Sequence, residues 1–151
     1  MAEPSAELAN LARIGKLAAE PGAAAEIAGL LASGRERLHD ARNESLALSS
    51  RFDLAYNAAH AFSLAALRWH GYRSDNRYLV FQSLPHTLGL PAPVWRVLAK
   101  AHDVRNVAEY EGVFEADAQL LRSLIEAAEK VAAAVTVLPT LDGSRGSDAG
   151  G

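Results

Sequence analysis

Between residues 50 and 71, Phe52, Ala55, Tyr56, Ala59, Phe62 and Ala66 recur at the three- and four-residue intervals that mark one face of an α-helix. Alanine fills half of these places, and a face of small side chains lets a second helix come close. Such a helix has to be covered by others, so it fixes the kind of fold the rest of the chain must complete. Half of the residues are hydrophobic, chiefly alanine, leucine and valine, with few aromatics, which suits close-packed helices better than sheets.

Three further segments supply the cover. Residues 34–48 place Leu38, Ala41, Ser45 and Leu48 on one side, with Ser33 as N-cap and Glu36 three positions on. A second capping box, Ser50-Arg51-Phe52-Asp53, opens the alanine-rich helix, and so short a joint folds the two antiparallel. Residues 93–110 have proline in the first turn and Gly112 beyond the end, and residues 115–138 face inward with Leu120, Leu124, Ala128, Val131 and Val135 before Pro139 stops them. The prediction is an all-α, up-down four-helix bundle over 34–138. The turn-rich stretch 71–76 and a short helix over 77–84, ending before Pro85, cross between its two hairpins.

Ahead of the bundle, residues 5–19 carry a weak helical pattern stopped by Pro21 and Gly22, and residues 23–32 carry Ile27, Leu30 and Leu31. Together 1–33 read as an N-terminal helical appendage. The tail 139–151, rich in glycine, serine and aspartate, has little to bury and is expected to be disordered.

A chain of 151 residues can bury a core without staples, and the absence of cysteine excludes disulfides, thiolate metal sites and cysteine nucleophiles. No leader or membrane-spanning stretch is visible, so the expectation is a cytoplasmic protein with no membrane contact. The five histidines show no ligand spacing, and there is no phosphate-cradling Gly-x-x-x-x-Gly-Lys element or nucleophile elbow; no metal and no cofactor are expected. With a net charge of −3, any RNA contact has to be local. Arg68, Arg73 and Arg77, with Arg96, Lys100 and Arg105, are either that contact or a solvated face. Trp69 and Trp95 are either core or stacking platforms.

The segment 104–111 holds the chemistry. With Val94 as origin and about 100° per residue, Val97, Leu98, Ala101, Val104 and Ala108 form an apolar face, and Arg105 falls inside it. A charge there is paired, interfacial or aimed into a cleft. His102 lies three residues before Arg105 and Glu109 four after, so acid, base and arginine converge. Asn106 and Tyr110 share a neighbouring face and line a cleft or meet a second chain. The alternative is an intrahelical Arg105–Glu109 pair with the arginine stem packed on its neighbours.

Arg105-Asn106-Val107-Ala108-Glu109-Tyr110 resembles the motif of the HEPN superfamily, small helical bundles whose third core helix carries an arginine with a polar neighbour and a histidine four to six residues on. The stretch 54–60, Leu-Ala-Tyr-Asn-Ala-Ala-His, is similar to that family's alanine- and tyrosine-rich second helix. The resemblance implies a homodimer in a toxin-antitoxin or defence setting, binding RNA or cutting it without metal. It implies Arg105, Asn106 and Tyr110 as the working residues, with His102 and Glu109 beside them, and a nucleotidyltransferase antitoxin as a partner. Tyr110, Glu111 and Gly112 occupy the places of the motif histidine, and a tyrosine of ordinary pKa near 10 is a poor general base at neutral pH. Two expectations follow: a weakened ribonuclease or RNA-binding relative, and, alternatively, a non-catalytic module that dimerises or docks a partner.

Overall fold

A computed structural model describes residues 5–114 and 116–141 and gives an all-α helical bundle. Its central element is α3 (Leu48–Trp69), which packs against α2 (Ala24–Ala41), α6 (Ala92–Glu111) and α7 (Ala118–Thr136). The face predicted for α3 is the one it buries: Phe52, Ala55, Tyr56, Ala59, Phe62 and Ala66 are all fully covered. Ala58, Ala61 and Ala65 are buried as well, because helices cover α3 on several sides.

One continuous helix, α2, replaces the two segments expected over 23–32 and 34–48. Ser33 and Gly34 are interior to it, and Gly34 is there for close packing, since a Cβ would stand 2.7 Å from the Phe62 ring. The helix stops at Ala41 and does not reach 48. Asn43 Oδ1 accepts from the Ser45 amide at 3.0 Å and turns the chain, so Ser45 is exposed in the link and Leu48 opens α3. The Ser50 capping box is likewise not formed, because α3 has already begun, with Ala47 at its N-cap. Arg51 instead donates from Nε to the Ala41 carbonyl at 2.8 Å and satisfies an end of α2.

α6 has Pro93 in its first turn and ends at Gly112, whose φ of 71° is left-handed, as the sequence predicts. α7 starts at Ala118, where Asp117 Oδ1 accepts from the Leu120 amide at 2.7 Å. Glu115, where the sequence placed that start, lies outside the described residues. Leu121 takes the fully buried place expected for Leu120, which is half-buried.

Between the hairpins run β2 (Tyr72–Arg73), α4 (Arg77–Gln82) and α5 (Leu84–Thr87). The helix expected over 77–84 divides at Ser83, and Pro85 falls in the first turn of α5, where its missing amide is harmless. At the N-terminal side, α1 (Ala6–Arg13) is followed by β1 (Ala18–Ala19), which pairs antiparallel with β2, Ala18 opposite Arg73 and Ala19 opposite Tyr72. Leu8 and Leu17 join Leu67 and Val80 in a second apolar cluster. Arg68, 4% exposed, closes this corner. Its Nε donates to both Glu26 oxygens at 3.1 and 3.2 Å, and its other nitrogens donate to the carbonyls of Glu20, Pro21 and Tyr72 at 2.9 to 3.2 Å.

Residues 1–4 of the expected appendage and 142–151 of the expected tail lie outside the described residues. Among the described residues no helix is long and apolar enough to cross a membrane.

Candidate functional site at the α3, α4 and α6 junction

Along α6 the covered positions Val94, Leu98 and Ala101 form a line at helical spacing, and Arg105 continues it by one turn. Its side chain, 31% exposed, lies across the buried ring of Tyr56, with Cζ 5.0 Å from the ring centroid. From α4 a second guanidinium, Arg77, approaches the same ring with Cζ at 5.5 Å. One phenol therefore carries two cations, an attractive placement on its π-face.

The edge of that phenol is tied to His102. His102 Nδ1 is hydrogen-bonded with the Tyr56 hydroxyl at 2.8 Å and its Nε2 with Asn106 Nδ2 at 3.1 Å, so both ring nitrogens are engaged. Burial holds His102 below the usual histidine range, helped by Arg77 and Arg105 and opposed by Asp103. His60, one turn along α3 from Tyr56, stands edge-on to Phe81 at 6.0 Å between centroids. Burial first, and then the charges of Arg77, His102 and Arg105, lower it to about 4. Burial pushes the Tyr56 phenol above its ordinary value, against the pull of Arg77 and Arg105.

The two arginines keep most of their hydrogen-bonding capacity. A guanidinium has five N–H donors. Arg77 spends one on Asn57 Oδ1 at 3.0 Å. Arg105 makes no hydrogen bond among the described residues: its Nε is buried without a partner, and the carboxylates of Asp53 and Glu109 stand off at 3.8 and 3.7 Å. Arg68 is the internal contrast, since each of its nitrogens meets an oxygen and it serves the fold alone.

Of the residues singled out in the sequence, His102, Arg105 and Asn106 come together, and Glu109 reaches them through its long ion pair. Tyr110 does not: it is 85% exposed and makes no hydrogen bond among the described residues. The Arg105–Glu109 pair of the alternative reading exists, but with Asp53 and Tyr56 added from α3. Sequence reasoning missed Tyr56, His60 and Asn57 as site residues and named Arg77 only as one of several candidate RNA contacts, with a solvated face as the alternative. The signal present for the first three was polar side chains within a helix otherwise dominated by alanine.

Among the described residues no group of three or more histidine, aspartate or glutamate side chains could hold a metal ion. A cavity of about 120 Å³ between α2, Trp69 and the end of α7 offers no chemistry, since its walls are largely apolar and Trp69 Nε1 is spent on the Pro139 carbonyl at 2.7 Å. No family model, no curated protein and no solved structure matches this chain.

Proposed function

We propose that this chain is an RNA-binding helical protein of the HEPN-like kind, and that it holds a phosphodiester between Arg105 and Arg77. The observation that carries the proposal is the pair of guanidinium groups on Tyr56 with donors unspent. A phosphate is the ligand that planar, forked donors recognise best, and in a chain of net charge −3 such a contact has to be local. Asp53 and Glu109 hold Arg105 loosely at distances a phosphate oxygen can undercut.

Binding fits the geometry better than cleavage. Both nitrogens of His102 are engaged, the Tyr56 phenol resists ionisation, and Tyr110 is outside the cluster, so none of these three is poised to move a proton. The resemblance adds a homodimer and a toxin-antitoxin setting to the proposal. The test is titration of labelled single-stranded RNA at several salt concentrations. Arg105→Ala and Arg77→Ala each weaken binding and each reduce the salt slope by about 1. Wild-type protein that fails to retain RNA at low salt refutes the proposal.

A second reading, a module that docks a partner protein such as a nucleotidyltransferase, is favoured by one feature. Tyr110 and Val113 are exposed together at the end of α6. On that reading Tyr110→Ala alters complex formation measured by light scattering and leaves RNA titrations unchanged.

A further inference from the structure

Tyr78, directly after Arg77 on α4, is an aromatic side chain that the fold leaves partly at the surface. Phe52, Tyr56, Phe62 and Phe81 are fully buried, whereas Tyr78 keeps 36% of its surface exposed. It is held in place all the same. Its ring stands nearly perpendicular to Trp95, 6.5 Å away at 85°, and lies tilted against His102 at 6.0 Å and 58°. His102 is the residue bonded to Tyr56, and Arg77 directly precedes Tyr78 in α4. An exposed ring fixed on two sides has little freedom left to lose on binding, and every nucleobase offers a π-face to stack on it. Arg96 and Lys100, exposed on the adjoining part of α6, add positive charge beside Trp95 for flanking phosphates.

We infer that Tyr78, backed by Trp95, is a stacking shelf for one base of single-stranded RNA whose phosphate rests on Arg77 and Arg105. The inference deepens the phosphodiester reading given above and rests on it. It assigns a base-binding subsite next to the phosphate subsite and makes single strands the substrate class, because a base paired within a duplex presents no free face to the shelf.

The experiment compares three labelled ligands of equal length at low salt: oligouridine, the same ribose-phosphate chain without bases, and a duplex. Each is titrated against the wild type, Tyr78→Phe, Tyr78→Leu, Tyr78→Ala and Arg105→Ala. Tyr78→Leu retains apolar packing on Trp95 without a π-face, so it remains informative if the alanine variant does not fold. The expected result is an affinity for oligouridine about tenfold lower in Tyr78→Leu and Tyr78→Ala and nearly unchanged in Tyr78→Phe. The base-free chain should bind these variants and the wild type alike, and the duplex should bind the wild type more weakly than oligouridine does. If Tyr78→Leu binds oligouridine as the wild type does while Arg105→Ala does not, the shelf is refuted and the phosphate subsite stands. If the wild type binds neither oligouridine nor the base-free chain, the phosphodiester reading falls and the shelf with it.

Discussion

Arg68 and Arg105 are both drawn into the molecule, and their hydrogen bonds separate their roles. Removing Arg68 leaves the carbonyls of Glu20, Pro21 and Tyr72 without its donors, so Arg68→Ala should lower unfolding free energy by about 3 kcal/mol in urea titrations. Arg105→Ala gives up a contact with one ring and two long ion pairs, and it should cost about 1 kcal/mol or less while the RNA binding proposed above falls. Equal destabilisation by the two substitutions would make Arg105 a structural residue. His60 supplies a pH effect of definite sign. Its folded pKa of about 4 lies below the unfolded value near 6.5, so the unfolded chain takes up the proton first and stability is lost as pH falls from about 6.5 to about 4. The loss is on the order of 2 to 3 kcal/mol, and melts of His60→Gln across that range should be flatter than those of the wild type. Arg105 was legible in the sequence because a charge interrupts an apolar stripe. Its partner Glu109, one turn on, was legible too; Tyr56 and Asp53 were not, because they lie on another helix and no local pattern couples them to Arg105.

Periodicity located the long helices well, and α3 and α6 match it closely, but the meaning of a glycine cannot be read at this level. By its sequence Gly34 reads as the boundary of a helix, whereas α2 runs through it because Phe62 needs the space. Gly29 in the same helix has nothing within 4 Å of where a Cβ would be. The two glycines therefore respond in opposite directions. Gly29→Ala should stabilise by about 1 kcal/mol through helix propensity alone. Gly34→Ala forces a methyl group against a fully buried ring and should destabilise by about 1 to 2 kcal/mol after the same propensity gain. Thermal melts of the pair check both signs; stabilisation by both would restore the reading of Gly34 as a plain helix position. The ribbon of β1 and β2 was illegible for another reason, since strands of two residues are too short to show an alternating pattern.

For the molecule as a whole, the N-terminal segment is fastened by Leu8 and Leu17 in the second apolar cluster, by the ribbon, and by Arg68. Deleting residues 1–19 should leave a helical circular dichroism spectrum but lower stability by about 4 kcal/mol, from two leucines withdrawn and Leu67 and Val80 uncovered. A truncated chain that melts with the full-length one would show that this packing contributes nothing. The same view of the molecule bears on Arg77. It is supplied by α4, a six-residue helix in the crossing segment, while Arg105 belongs to the bundle proper. A ligand gripped by both would act as a clasp between these two parts, so affinity is scaled by the fraction of molecules in which the crossing segment is docked. Substitution of Val80, which packs in the second apolar cluster, should thus weaken the RNA binding proposed above in step with the loosening of α4, and bound RNA should slow amide exchange there more than in α2.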